Sequence, residues 1–419
     1  MTLYEFGVLL NVSAFDRRLD PALTTPIAVA LSGGGDSLAA LHLTKAWADR
    51  NGRRVLALSV DHRLQPQSAD WTRFCEKAAL RLGADFRALA WDGPKPCQGL
   101  PAAARAARHR LIADAARAAG ARVVVFGHTA GDVREAELMR ASGVRVGTPR
   151  EWSPSPVWPE GRGLFLLRPL LNLRRASIRR ALAEAGETWI DDPANDDLRS
   201  PRARARRQAG ESLASPPNAA DGPGLAALAR RWTISPLGFF RIDRQALREA
   251  PAPNARRLLA AAVLSVGGGE RPPRGERLDR LFAQALAAEP FRAALSGTKL
   301  IADQHLLIVR DAGEARRGGL APASLAPGVP AVWDGRFEIV APCGVVRPLA
   351  GVMAHLNPAQ RLALKAVPAP ARPALPLLIA ADGTLVCPIL AGALEVSVAT
   401  LVGPRFLGAC GAISKEPAT

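Results

Sequence analysis

A serine- and glycine-rich segment at residues 32–37 is the part of the chain whose residue types point most directly to chemistry. It reads Ser-Gly-Gly-Gly-Asp-Ser, follows an apolar run at residues 27–31 and precedes a helical pattern. A turn between a strand and a helix presents backbone N–H groups and a positive helix end to an anion, which suits a phosphate. The segment matches neither the GxxxxGK[ST] pattern of a P-loop nor the GxGxxG dinucleotide pattern. An ordinary glycine turn is the alternative.

The side chains of this segment fit a triphosphate site. The hydroxyls of Ser32 and Ser37 can help the backbone amides to cradle the phosphates, and Asp36 offers a carboxylate to Mg²⁺. The alternative for Asp36 is a role as a helix N-cap.

A carboxylate pair further along the chain could handle an amine. Asp132 and Glu135 are three residues apart and therefore share a face of a helix that is predicted to begin near Gly131. Carboxylates in this arrangement can hold ammonium groups, and one of them can help to deprotonate an attacking amine. On spacing alone, a solvated acidic first turn explains the pair better.

Basic side chains near these positions could contact phosphates. His128 follows an apolar run, and Arg105 precedes Arg108 by three residues, so that the arginines could clamp a phosphate or a base. A structural histidine and solvated helix charges are the alternatives. The arginine-rich run at residues 199–207 could meet RNA phosphates or be a basic linker.

The composition is that of a folded protein with a polyanionic partner. The 419 residues are 48% hydrophobic and 22% charged, and 55 basic against 38 acidic residues give a net charge of +17. An excess of cations favours nucleic-acid binding, although a GC-rich genome also enriches arginine. The five cysteines are scattered without a CxxC pair, which argues against a disulfide scaffold or a zinc site. No membrane span or basic leader is recognised, so a cytoplasmic location is expected.

Short apolar runs alternate with helical patterns over the first half of the chain. Strands are predicted at residues 27–31, 55–60, 86–91 and 123–126, and helices at residues 38–50, 68–82, 100–119 and 173–185. This alternation predicts an α/β fold with a parallel, doubly wound sheet and a ligand site at the carboxyl ends of the strands. Three domains are expected: a catalytic domain over 1–210, a mainly helical domain over 225–312 with a hairpin near 295–309, and a small α+β domain over 326–419.

Taken together, the motifs resemble those of the tRNA(Ile)-lysidine synthase family within the N-type ATP pyrophosphatases, or PP-loop proteins. The glycine loop matches the whole group. The family match adds Val-Asp-His at 60–62, Ala-Arg-Ala-Ala-Arg at 104–108, Gly-His-Thr-Ala at 127–130, Arg-Pro-Leu-Leu at 168–171 and Asp-Pro-Ala-Asn-Asp-Asp at 192–197. The resemblance is specific to about residue 207 and faint beyond it.

The resemblance implies a ligase that modifies a tRNA anticodon. In that family the C2 oxygen of the wobble cytidine attacks the α-phosphate of ATP, pyrophosphate leaves, and the ε-amine of free lysine displaces AMP. The implied partners are tRNA(Ile) with a CAU anticodon and lysine, the implied cofactors are ATP and Mg²⁺, and a homodimer is allowed. The implied catalytic residues are Asp36, Arg108, His128, Asp132 and Glu135. The implied ATP-binding residues are Ser32, Gly33, Gly34, Gly35, Asp36, Ser37, Asp61 and His62, with Asp36 as the metal ligand. The implied tRNA- or substrate-binding residues are Arg105, Arg168, Arg202 and Arg206.

Several positions depart from the family pattern. Gly131, Val133 and Ala136 replace an Asp, a Gln and a Thr, while His109 replaces a Tyr, Pro101 replaces an acidic residue, and Ala203 stands where an Asn is usual. Two other functions therefore stay open: another PP-loop chemistry such as tRNA thiolation or amide synthesis, and a non-catalytic RNA-binding relative.

Overall fold

The computed structural model describes residues 13–144, 146–191, 201–209, 223–390 and 396–418. The chain divides into two compact units. The first comprises Met1–Asp221 together with Ile413–Thr419, and the second comprises Gly222–Ala412.

The first unit is built on a six-stranded sheet. Its strands are β1 (Ile27–Ala30), β2 (Val55–Asp61), β3 (Asp85–Ala90), β4 (Val123–Val125), β5 (Trp152–Pro154) and β6 (Phe165–Leu167). The order across the sheet is β3-β2-β1-β4-β6-β5. All neighbours pair in parallel except β5 and β6, which are antiparallel. Successive strands run outward on both sides of β1, so the β1–β4 boundary is the switch point where such sheets bind ligands.

Helices cover both faces of this sheet. They are α1 (Ala14–Arg18), α2 (Gly35–Arg50), α3 (Ser68–Arg81), α4 (Leu100–Ala118), α5 (Ala130–Ala141), α6 (Arg175–Glu184) and α7 (Pro201–Ala209). Alternate residues of β1 belong to different cores: Ile27 and Val29 pack in one hydrophobic cluster and Ala28 in another. A strand that is buried on both faces must be apolar throughout, which explains the continuous apolar run in the sequence.

The predicted α/β class and its parallel, doubly wound sheet are confirmed. The four predicted strands differ from β1–β4 by at most one residue at either end, and α5 begins at Ala130, next to the predicted Gly131. Strands β5 and β6 were not predicted, because three residues are too few for a recognisable periodicity.

The second unit begins with helices around a four-stranded antiparallel sheet. The helices are α8 (Pro223–Arg230), α9 (Arg244–Glu249), α10 (Ala252–Gly267) and α11 (Glu276–Leu286). The strands are β7 (Phe240–Asp243), β8 (Phe291–Leu295), β9 (Thr298–Ala302) and β10 (His305–Arg310), in the order β7-β10-β9-β8. The predicted hairpin near 295–309 is thus three strands, and β7 interrupts the region predicted to be helical. β7 has only four residues of alternating burial, which is too short a pattern to recognise within a segment that is otherwise helical.

Two smaller sheets and two helices complete this unit. The strands are β11 (Ala323–Leu325), β12 (Ala331–Trp333), β13 (Phe337–Val340), β14 (Gly344–Pro348), β15 (Pro376–Ile379), β16 (Leu385–Val386) and β17 (Ser397–Thr400), and the helices are α12 (Pro358–Lys365) and α13 (Val402–Ala409). The sheet orders are β11-β14-β15-β16 and β12-β13-β17. Phe406 of α13 stacks on Trp232 and meets Phe240 edge-on, so the last helix shares a core with residues 225–312. A domain boundary at residues 313–325 stays a prediction.

The last described residues return to the first unit. The Glu416 carboxylate accepts two hydrogen bonds from the Arg53 guanidinium, at 2.7 and 2.8 Å, and both side chains are fully buried. The Trp152 indole donates to the Ile413 carbonyl at 2.8 Å. None of the described helices is long and apolar enough to cross a membrane.

Candidate active site

The glycine loop connects β1 to α2 in the manner that anion binding requires. Gly34 is the N-cap of α2, and the Ser37 hydroxyl accepts a hydrogen bond from the Ser32 amide at 3.2 Å and donates one to the Gly34 carbonyl at 2.8 Å. The amides of Gly34, Gly35 and Asp36 have no hydrogen-bond partner within the part of the chain that the structure describes. These free N–H groups at a helix N-terminus can donate hydrogen bonds to phosphate oxygens.

The segment after α6 supports the loop from behind. The Ile190 amide donates to the Gly33 carbonyl at 3.0 Å. Gly33 has φ +82°, and a Cβ there would lie 2.5 Å from Ile190 Cδ1, while a Cβ on Gly35 would lie 3.5 Å from the Trp189 ring. Glycine is therefore required at residue 33 by both its backbone conformation and this contact. Sequence reasoning missed this support, because nothing in residues 187–190 marks them as neighbours of the loop.

The loop after β4 touches the first turn of α2. A Cβ on Gly127 would lie 2.3 Å from the Asp36 carbonyl oxygen and 2.8 Å from the Ser37 amide nitrogen. Only a glycine permits this approach, and it places His128 beside the phosphate loop.

Asp36 lies in the first turn of α2, and its carboxylate accepts a hydrogen bond from Arg175 Nε at 2.8 Å. Burial raises the pKa of Asp36, and the Arg175 charge opposes the shift. The alternative role as N-cap is wrong, because Gly34 occupies that position. Arg175 was not singled out in the sequence, where it is one arginine among many.

Asp132 and Glu135 are buried side chains of α5, with residue exposures of 7% and 2%. The solvated first turn, which spacing alone favoured, is therefore wrong. The Asp132 carboxylate accepts hydrogen bonds from the Thr129 amide at 2.8 Å and the Thr129 hydroxyl at 3.0 Å. Burial raises the pKa of Asp132, but the neighbouring His128 ring, the Arg202 charge and the Thr129 amide outweigh it and lower the pKa.

Helix α7 supplies cations to this carboxylate pair. Arg202 Nε donates to Glu135 at 2.9 Å and the same guanidinium bonds Asp132, while Arg206 Nε donates to Glu135 at 2.7 Å. The alternative of a basic linker is wrong for these two arginines, since both are engaged in ion pairs on a helix. The pairing shows that the two carboxylates attract positively charged nitrogen.

His128 and Arg168 form a hydrogen bond at the end of β4. Arg168 Nε donates to His128 Nδ1 at 3.1 Å, and Arg168 is only 7% exposed. His128 also stacks on Phe126, with ring centroids 5.7 Å apart. The structure places Arg168 in the interior, where it contacts His128, rather than on a surface open to tRNA.

Two arginines of α4 differ from Arg110 of the same helix, which pairs with Glu160 at 3.4 Å. Neither Arg105 nor Arg108 forms an ion pair in the described ranges, and Arg108 Nε is buried without a hydrogen bond. Burial, helped by the charges of Arg105 and Arg202, lowers the pKa of Arg108 to about 10. Arg108 is half-buried, and shielding a guanidinium from water without a counter-ion is costly, so an anion that arrives as a ligand would stabilise it.

Asp61 and His62 lie at the carboxyl end of β2, as predicted. The Asp61 carboxylate accepts a hydrogen bond from the Arg63 amide at 2.7 Å, and His62 meets Trp91 edge-on at 6.0 Å. His62 Nδ1 is buried without a hydrogen bond among the described residues, and burial lowers the pKa of His62. The roles of both residues in ATP binding stay predictions. The Asp-rich motif at 192–197 lies outside the described residues.

Comparisons with known proteins agree with this arrangement. A model of the PP-loop domain matches residues 12–213. A tRNA(Ile)-lysidine synthase of Caulobacter vibrioides is 49% identical over 415 residues, which cover 97% of this chain and 98% of that protein. The chain belongs to the tRNA(Ile)-lysidine synthase family. A family member from Hyphomonas neptunium is 35% identical, and the match covers 72% of this chain and 86% of that protein. One from Rhizobium meliloti is 33% identical, and the match covers 75% of this chain and 72% of that protein.

The departures from the pattern of the lysidine synthase family fit the packing around the site. His109 is buried and its ring lies 5.3 Å from that of Phe126 at a tilt of 31°, a place that an aromatic ring can fill. Val133 and Ala203 are buried, so apolar side chains suit them. Gly131 has room for a side chain, since its Cβ would meet only the Thr129 hydroxyl, at 3.5 Å.

Proposed function

We propose that the chain ligates lysine to C2 of the wobble cytidine in the CAU anticodon of tRNA(Ile), with ATP as the activating substrate. The products are lysidine, AMP and pyrophosphate. The observation that carries this proposal is the presence, at the carboxyl ends of the parallel strands, of a phosphate loop and a buried carboxylate pair that binds cationic nitrogen.

The phosphate loop and the α4 arginines serve the first step. The free amides of the loop would hold the ATP phosphates, and the unpaired guanidinium of Arg108 would stabilise negative charge at the α-phosphate. The cytidine C2 oxygen then bonds to the α-phosphorus while the bond to the pyrophosphate oxygen breaks. The alternative of a decayed nucleotide fold does not account for Arg108, which is half-buried with an Nε that has no hydrogen bond among the described residues.

Asp36 is the residue that fits a magnesium ion. Its carboxylate side chain is 22% exposed and lies in the first turn behind the loop. Mg²⁺ commonly takes one or two protein carboxylates and completes its shell with phosphate oxygens and waters. When bound, the ion neutralises charge on the pyrophosphate.

The carboxylate pair serves the second step. The ε-amine of lysine bonds to C2, and AMP leaves with the C2 oxygen. Asp132, with a pKa of about 2, is suited to hold an ammonium group rather than to take its proton. Glu135 is then the candidate that accepts the proton. A lysine ammonium has to share or replace the guanidinium groups that hold both carboxylates in this structure.

The test is lysine incorporation into a CAU-anticodon tRNA(Ile) transcript with ATP, Mg²⁺ and labelled lysine. Label is expected in acid-precipitable tRNA with the native chain and to be absent with Asp36→Ala or a wobble C→U transcript. Asp49→Ala is a matched control, because Asp49 lies on the same helix with a half-exposed side chain. Tight tRNA binding without incorporation would favour the RNA-binding alternative. Turnover of ATP that needs ammonia or a sulfur donor in place of lysine would favour another PP-loop chemistry. A homodimer and a cytoplasmic location stay predictions.

A further inference from the structure

The hydrogen bond between Arg168 and His128 fixes which ring nitrogen carries the proton. A guanidinium nitrogen donates and never accepts, so Nδ1 of His128, 3.1 Å from Arg168 Nε, must offer its lone pair. A neutral imidazole that accepts at Nδ1 has its hydrogen on Nε2.

Arg168 cannot easily turn away from this contact. Its NH1 group donates to the Arg150 carbonyl at 2.8 Å and to the Ser153 hydroxyl at 3.0 Å. Its own amide donates to the Glu151 carbonyl at 2.8 Å. Three further hydrogen bonds, to residues of β5 and of the segment just before it, therefore hold Arg168, which is nearly inaccessible to solvent.

The other side of the ring is free to bind a ligand. Phe126 stacks on His128 at an interplanar angle of 13°, which fixes the plane of the imidazole. Among the described residues, Nε2 of His128 has no hydrogen-bond partner, and the residue is half-buried rather than buried. We infer that His128 acts as a neutral hydrogen-bond donor through Nε2–H to an anionic oxygen of the reacting phosphate, and that Arg168 is the positioning residue that fixes this tautomer.

This inference rests on the proposed function for the identity of the ligand, and it assigns Arg168 a role other than tRNA contact. It also removes His128 from the candidates for a general base, because one ring nitrogen carries the proton and the other is occupied. A donor that is fixed before the substrate arrives can stabilise developing charge without reorganisation.

The charges around the ring favour the neutral form. Burial, with Arg168, Arg105 and Arg108, lowers the pKa of His128 to about 3 against the opposing carboxylate of Asp132. Protonation would also place two N–H groups against each other at the Arg168 contact. The ring is therefore expected to stay neutral across the working pH of the protein.

The direct test is nitrogen NMR of the full chain labelled with ¹⁵N-histidine, without tRNA or lysine. The chain has six histidines, and the spectrum of His128→Gln identifies the missing signal. The His128 ring is expected as the Nε2–H tautomer, with no titration between about pH 5 and 8. In Arg168→Met the same ring should lose this fixed tautomer and begin to titrate. A native His128 that titrates in this range, or that carries its proton on Nδ1, would overturn the inference even if Arg168→Met does not fold.

Kinetics provide a second, separate readout. The amide of Gln can donate from near the Nε2 position, so His128→Gln should retain lysidine formation within about 10-fold of the native rate. His128→Ala should lose about 100-fold or more, the usual effect of removing one fixed donor. His355→Gln, at an exposed position in the second unit, is the matched control. Equal losses of activity in the Gln and Ala variants would contradict the role of His128 as a donor. Absence of lysidine formation by the native chain would refute the proposed function, but the NMR experiment would still test the tautomer of His128.

Discussion

Gly127 lies against the backbone of Asp36, so that the end of β4 and the first turn of α2 are in contact without any side chain between them. This contact joins the two strands on either side of the switch point, β1 and β4, at the place where each one ends. The position of His128 relative to the phosphate loop therefore depends on residue 127 being a glycine, which has no side chain.

We expect Gly127→Ala to impair ATP binding and stability together. The added Cβ would be 2.3 Å from a backbone carbonyl, and neither backbone can shift without moving the loop. Overpacking of this kind typically costs about 1–3 kcal/mol. Urea unfolding and calorimetric binding of a non-hydrolysable ATP analogue measure the two effects. Gly131→Ala is the control, since its Cβ has room; native-like binding by Gly127→Ala would show that the loop tolerates separation from β4.

Removal of the carboxylate of Glu135 should separate the two chemical steps. Glu135→Gln loses the charge that pairs with Arg202 and Arg206, so we expect lysine transfer to fall by about 100-fold while ATP-dependent activation of tRNA continues. Single-turnover assays with and without lysine resolve the steps. Glu137→Gln, two residues along the same helix with a partly exposed side chain, serves as the control. If Glu135→Gln transfers lysine normally, the carboxylate has no part in amine handling.

The ion pair behind the phosphate loop should contribute to the affinity for ATP. Glu187 contacts His42 of α2 at 3.1 Å and Arg81 of α3 at 2.5 Å, three residues before the Ile190 amide that supports Gly33. Glu187→Ala removes this acid from the Arg81 guanidinium and the His42 ring, and we expect weaker binding of the ATP analogue and a stability loss of about 1–3 kcal/mol. Glu184→Ala, at an exposed position of α6, should change neither quantity. Unchanged ATP affinity in Glu187→Ala would show that the loop is rigid without this pair.

Two buried histidines should make the fold sensitive to acid. Burial and neighbouring arginines lower the pKa of His109 to about 2 and of His128 to about 3, below the unfolded value of about 6.5. The unfolded chain therefore binds more protons below about pH 6.5, and stability falls as the pH decreases. The buried His109 contributes about 2 kcal/mol of this loss at pH 5. Asp132, with a pKa of about 2, adds a loss only below about pH 4.

His109→Phe should remove one share of this acid sensitivity. Phenylalanine keeps a ring next to Phe126 and eliminates the Nε2 atom that is buried without a hydrogen bond. We expect equal or greater stability at pH 7. Between about pH 6.5 and 5 the unfolding free energy should fall less steeply, because unfolding of the variant takes up one proton fewer. Urea unfolding at several pH values measures the slope. An unchanged slope would mean that His109 is protonated in the folded chain.

The local parts of the site were predictable and the distant contacts were not. The phosphate loop, β1 and the start of α5 are encoded by neighbouring residues, and the sequence predicts each within a residue or so. The bond between Arg175 and Asp36 joins positions 139 residues apart, and that between Arg168 and His128 joins positions 40 apart. The chain has many arginines, and a long flexible side chain can reach partners far away in the sequence. No sequence pattern therefore identifies which arginine contacts Asp36 or His128.

The burial of the acidic pair was also beyond local reasoning. Asp132 and Glu135 read as a solvated first turn, which is what acidic residues near a helix N-terminus usually form. Their burial depends on Arg202 and Arg206, about 70 residues further along, which provide the compensating charge.

The pair of Arg53 and Glu416 should be essential to the stability of the first unit. Removal of residues 413–419 would leave the Arg53 guanidinium buried without its carboxylate, and breaking a buried pair typically costs about 3–5 kcal/mol. We expect the truncated chain and Glu416→Ala to unfold at lower urea concentration than the native chain. Lys415→Ala, at an exposed neighbouring position, is the control. Equal midpoints would show that the buried pair contributes nothing net.

Since residues 413–418 pack with the first unit, the second unit is an insertion whose two ends both lead back to the same body. A single cut within residues 210–222 would yield two fragments, and the second would still carry the Glu416 side chain that fills the site at Arg53. The two fragments, expressed separately, should therefore recognise each other and reassemble, which makes this chain a natural candidate for a split enzyme.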